Sequence, residues 1–167
     1  MSWKTNLYAV AIAWVAAQPS AVTAETELLG SFGYWSAFQY DTDCWVATEP
    51  ADLTVTQAKV KTGDGELYLM IAFKYGSTMP SVQIWLSEEF GDILLASAVV
   101  RGTTHPLFYS DEALWLPVDS EVTVVKQLLG GNDLKLSVEG EGTTEIAATY
   151  STEGLQEAYN HMARFCN

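Results

Sequence analysis

WSAFQYDTDCWVATEP, residues 35–50, decides how this chain reads. It holds two of the six tryptophans and one of the two cysteines. Two short apolar strands, Trp35 to Tyr40 and Cys44 to Thr48, are joined by the acidic turn Asp41-Thr42-Asp43. In the second strand Cys44, Val46 and Thr48 share one face and Trp45 and Ala47 the other, because successive strand side chains alternate. Pro50 ends it, having no N–H for a ladder. The other cysteine, Cys166, is the second-to-last residue. If the two pair, this stretch is tied to the C-terminal end and the chain between them is one closed loop.

Upstream, Phe32, Tyr34 or Trp35, and Phe38 are candidates for a buried face, with Gly30 and Gly33 loosening the approach. Downstream, Leu53 to Lys61 alternates around Leu53, Val55 and Val60. Gly63-Asp64-Gly65 is a hairpin turn signal. Leu67 to Tyr75 is the most apolar run and reads as a central strand buried on both faces. After a turn at Gly76-Ser77-Thr78, Ser81 to Leu86 places Val82, Ile84 and Leu86 on one face. An acidic loop, Glu88 to Asp92, leads to a strand from Ile93 to Arg101. Short strands, Pro106 to Tyr109 and Ala113 to Leu116, flank a turn at Ser110-Asp111-Glu112.

The pattern then changes period. Pro117, Asp119 and Ser120 start a helix over about residues 119–129, with Val122, Val125, Leu128 and Leu129 at helical spacing and Gly130-Gly131 as its stop. Leu134, Leu136 and Val138 alternate with Lys135 and Ser137, and Thr144 to Tyr150 pairs back. Ser151 is expected to cap a last helix, about residues 151–164, with Leu155, Ala158, Tyr159 and Met162 on its apolar stripe. Many short strands with frequent turns predict an all-β sandwich carrying two peripheral helices.

Residues 1–24 read as a secretory signal peptide. Lys4 supplies the positive start, Leu7 to Ala17 the apolar core, and Ser20 to Ala24 a small-residue exit. The apolar run has eleven residues, short of the roughly 17–25 that span a bilayer. The mature domain is then residues 25–167, exported to the periplasm or secreted, with no membrane span after cleavage. Two cysteines in an exported chain point to one disulfide, Cys44–Cys166. The rival reading is a metal or redox pair, although no Cys-x-x-Cys is present and only His161 lies near Cys166. Seven Lys and Arg against 21 acidic residues after Ala24 leave about −14. Such a field repels nucleic acid and anionic lipid.

No grouping stands out as catalytic. A nucleophilic triad needs a base beside its nucleophile. The only histidines, His105 in the turn-like GTTHP and His161 on the last helix, read as solvent-facing. Zinc spacing is absent, and no cofactor is implied. Asp41 with Asp43, Asp64 with Glu66, and Glu88, Glu89 and Asp92 offer loop oxygens of the kind calcium uses, but solvated turns are the default. Trp35, Trp45, Trp85 and Trp115 read as structural core candidates, with stacking on sugars as the alternative.

Phe32-Gly33-Tyr34-Trp35-Ser36-Ala37-Phe38, followed by Cys44-Trp45-Val46-Ala47-Thr48-Glu49-Pro50, resembles the opening of the invasion-associated locus B family. Glu66 to Tyr75, Leu107-Phe108 and Ala113-Leu114-Trp115 are similar to its middle segments. Gly142-Thr143, Tyr150-Ser151, Gly154-Leu155, Ala158-Tyr159 and Cys166 are similar to its ending. The resemblance covers nearly the whole mature chain in order. Where that family carries a basic residue before the tail strand, this chain has Glu139-Gly140-Glu141, with the charge reversed. The resemblance implies an exported bacterial protein with an immunoglobulin-like β-sandwich and no catalytic residues. The resulting expectation is a non-enzymatic domain that binds a protein partner in the envelope or at a host surface. The alternative is a calcium- or carbohydrate-binding periplasmic module.

Overall fold

The computed structural model describes residues 25–56, 67–73, 79–86, 92–140 and 144–166. The signal-peptide reading (1–24), the turns at 63–65 and 76–78 and most of the acidic loop at 88–92 lie outside these residues. Alternating apolar positions build twelve strands among the described residues. In chain order these are β1 (Glu27–Phe32), β2 (Trp35–Tyr40), β3 (Asp43–Thr48), β4 (Asp52–Thr56), β5 (Leu67–Phe73) and β6 (Ser81–Leu86). They continue with β7 (Ile93–Val100), β8 (Thr103–Pro106), β9 (Phe108–Ser110), β10 (Ala113–Trp115), β11 (Leu134–Gly140) and β12 (Glu145–Tyr150). Two helices, α1 (Val118–Leu129) and α2 (Leu155–Met162), complete the domain.

The strands form two antiparallel sheets, a seven-stranded one in the order β1-β2-β3-β5-β6-β10-β9 and a five-stranded one in the order β4-β12-β11-β7-β8. The protein is thus an all-β sandwich with two peripheral helices. Trp35, Leu69, Ile71, Ile84 and Leu114 of the first sheet share one core with Val100, Leu134, Leu136, Ile146 and Tyr150 of the second. Each Leu or Ile so buried contributes roughly 1.5–3 kcal/mol relative to exposure. Val124 and Leu128 of α1, and Leu155, Ala158 and Met162 of α2, join that core. Among the described residues no helix is long and apolar enough to cross a membrane.

The stretch at 35–50 folds as its alternation requires. Cys44, Val46 and Thr48 are buried, and Trp45 and Ala47 turn to the other face. Cys44 and Cys166 form the disulfide, with Cα atoms 6.2 Å apart and a sequence separation of 122. In the chain-entropy view a loop of that length restricts the unfolded chain by roughly 4–5 kcal/mol.

Several elements differ from the sequence reading. The approach at Leu29 to Phe32 belongs to a full strand, β1, paired with β2, and the ladder shifts register between Leu28 and Gly30, leaving Leu29 as the extra residue. β5 buries only Leu67, Leu69 and Ile71; Tyr68, Met70 and Ala72 are half-buried on the opposite face. β4 keeps Leu53 and Val55 exposed at a sheet edge, and residues 57–61 of that expected strand are not described. α1 turns Glu121, Val124, Val125 and Leu128 inward, so Val122 and Leu129 fall at the margin. α2 starts at Leu155 behind Gly154, not at Ser151. The Ser151 hydroxyl instead accepts the Glu153 N–H at 3.2 Å, a local turn that competes with capping.

Gly154 shows why. Its φ of 88° is in the region that favours glycine, and a Cβ there would collide with the Phe32 carbonyl. Across the contact, Gly33 opens the two-residue β1–β2 turn with φ 59°, and the Tyr34 N–H donates to the Glu153 carbonyl at 3.3 Å. Further along, the His161 Nε2–H donates to the Leu29 carbonyl at 3.1 Å. The His161 ring sits between Phe32 and Phe165, at centroid distances of 5.1 and 5.2 Å. The Trp35 indole donates to the Ser151 carbonyl at 2.8 Å. α2 is thus riveted to the β1–β2 edge at both ends.

Candidate functional site

Side chains out of phase with each strand's inward set face away from the second sheet. On the seven-stranded sheet these are largely aromatic. Phe38 on β2 lies opposite Trp45 on β3, and their rings stack at 5.7 Å with an interplanar angle of 16°. Tyr68 on β5 lies opposite Trp85 on β6, with ring centroids 6.3 Å apart. Trp115 on β10 lies opposite Phe108 on β9, and its indole N–H donates to the Ser110 carbonyl at 3.0 Å. Phe108 is 59% exposed.

The outer face of the five-stranded sheet has another chemistry. There β11 presents Lys135, Ser137 and Glu139, and β12 presents Glu145, Ala147 and Thr149. β7 adds Leu95, opposite Glu139 and 60% exposed, and Val99, opposite Lys135. Among the described strand residues this outer face carries no aromatic ring, whereas the other carries paired aromatics, so the two surfaces of the sandwich are unequal.

A cleft of about 530 Å³ lies on the aromatic face. Met70, Ala72, Ser81 and Gln83 lie between Trp45 on one side and Trp115 on the other, with Met79 and Pro80 also lining it. β3 and β10 stand three strand spacings apart in the sheet order, about 14 Å. Two carboxylates, Asp43 and Glu121, line the same cleft. Glu121 is only 6% exposed. Its Oε1 accepts the Val82 N–H at 3.0 Å. The ladder explains this contact: Leu116 N–H donates to the Val82 carbonyl at 3.2 Å. β10 ends just before Leu116, and the carboxylate of α1 takes the N–H that a longer strand would have paired.

Of the four tryptophans expected to be structural, Trp35 is fully buried between the sheets. Trp45, Trp85 and Trp115 are half-buried on the outer face. Both histidines differ from the solvent-facing reading. His105 sits in β8, buried, with Nε2 lacking a partner among the described residues. His161 is the α2 rivet. They belong to opposite sides of the fold and are not brought together. Asp41 and Asp43 stay exposed at the β2–β3 turn. No group of three or more His, Cys, Asp or Glu side chains among the described residues is placed to hold a metal ion.

Glu121 is the residue that the sequence reading missed. The signal was positional. It stands three and four residues before Val124 and Val125, on the stripe that turns inward.

No family model, no curated protein and no solved structure matches this chain.

Proposed function

We propose that this chain is an exported bacterial protein that acts without catalysis, binding a protein partner through the outer face of its seven-stranded sheet. One observation carries the reading: Trp45, Trp85, Trp115, Tyr68, Met70 and Phe108 gather on that face, while the described strands of the opposite outer face present charged, small and aliphatic side chains and no aromatic ring. Aromatic side chains and Met are enriched at interfaces, where Trp and Tyr anchor much of the binding energy. Trp45 and Trp115 are already braced by Phe38 and the Ser110 carbonyl, so little side-chain freedom is lost on binding. Export is supported by the leader-like residues 1–24 and by the Cys44–Cys166 disulfide, a bond that persists in oxidising compartments. The periplasm or the cell exterior is the proposed destination. The β-sandwich and the disulfide accord with the resemblance to the invasion-associated locus B family, and membership of it is part of the proposal.

A second reading, a carbohydrate-binding module, draws on the same cleft, because two indoles flanking Gln83 and Asp43 could stack on sugar rings and bond hydroxyls. The two readings separate in one experiment. The purified mature protein and a Trp45→Ala, Trp115→Ala double variant are passed over immobilised envelope proteins and over a glycan panel. Retention on protein, lost in the double variant, supports the first reading. Retention on a glycan overturns it in favour of the second, and equal retention of both forms removes the face from the account.

A further inference from the structure

Glu121 lines the cleft as a nearly buried carboxylate, 6% exposed, with one oxygen spent on the Val82 N–H. A buried carboxylate is costly unless a cation partners it. No Lys, Arg or His among the described residues lines this cleft, and Asp43 adds a second negative charge. The walls are Trp45 and Trp115, whose ring faces attract cations. An occupant that carries a cation would meet Glu121, Asp43 and the two indoles together. We infer that the cleft receives a Lys or Arg side chain from an apolar, extended segment of the partner protein, with the cationic group set against Glu121 and its neighbours packed on Met70 and the two tryptophans. The inference rests on the proposed partner-binding face and adds the chemistry of what it recognises.

The test must separate this site from the general field of a strongly acidic chain. Glu121→Gln keeps an oxygen for the Val82 N–H and removes the charge. Glu145→Gln removes the same charge from the exposed opposite face. The probe is a fluorescein-labelled nonapeptide alternating leucine and arginine, with a leucine–glutamate twin as control, followed by anisotropy at physiological salt. The expected result is saturable binding of the arginine peptide that weakens at least tenfold in Glu121→Gln and less than twofold in Glu145→Gln, with the twin unbound. Equal weakening in the two variants, or none in either, overturns the inference, as does free argininamide binding as tightly as the peptide. If Glu121→Gln is silent while Trp45→Ala still weakens binding, the inference fails and the partner-binding face stands. If the tryptophan variants are silent too, both fail.

Discussion

Glu121 and Tyr150 are two buried polar side chains with opposite circumstances, and they predict opposite mutational outcomes. Glu121 satisfies the Val82 N–H. Replacing it with Ala leaves a buried donor unpaired and is expected to cost about 1–3 kcal/mol, whereas Gln keeps the bond and much of the stability. Urea unfolding of the two variants checks this, and an equal loss in both would show that the charge matters more than the bond. The Tyr150 hydroxyl is buried with no hydrogen-bond partner among the described residues. Tyr150→Phe is therefore expected to leave stability unchanged or raise it. Burial also pushes the Tyr150 phenol above its ordinary value near 10, and that of Tyr159 in the same direction. Above pH 10 the unfolded chain releases protons that the folded chain retains, so stability is constant below that pH and falls as pH rises through it. For Tyr150 the slope reaches about 1.4 kcal/mol per pH unit, and the partly exposed Tyr159 adds a fall of the same sign. Urea midpoints from pH 8 to 11.5 should show the fall, and Tyr150→Phe should flatten it; an unchanged slope would contradict the assignment.

At the scale of elements, the β1–β2 edge and α2 hold each other. The disulfide, the His161 contact and the Gly154–Phe32 approach all join the chain's last helix to its first described strands. Gly154→Ala is expected to cost more than about 3 kcal/mol, since both its positive φ and the Phe32 carbonyl oppose a Cβ. Thermal melting measures this, and a loss under about 1 kcal/mol would mean that α2 shifts freely. Cys44→Ser is expected to cost roughly 2–5 kcal/mol, and the intact wild-type protein should weigh two hydrogens less than its reduced form. These ties were only half legible beforehand. The pairing of Cys44 with Cys166 follows from there being two cysteines in an exported chain. The start of α2 does not, because Ser151 carries a capping side chain, and only the approach of Phe32, 122 residues earlier in sequence, reserves position 154 for glycine.

Across the whole molecule, alternation was enough to read the sandwich. The inward sets of β3, β6 and β11 stood out in the sequence, and so did the parity that turns Trp45 away from Cys44 and Trp85 away from Ile84. Strand order was not legible. Trp45, Trp85 and Trp115 become one surface only because β3, β5, β6 and β10 are neighbours, although β4 and β7–β9 separate them along the chain. The same limit hid the direction of His105, whose threonine-rich setting looks like a turn and forms an edge strand. Photo-crosslinking in intact cells tests the central claim most directly, with a benzophenone amino acid at Phe108 on the aromatic face and, separately, at Lys135 on the opposite outer face. The account predicts a discrete protein adduct from position 108 and none from position 135. Adducts from 135 alone, or from neither, would contradict it.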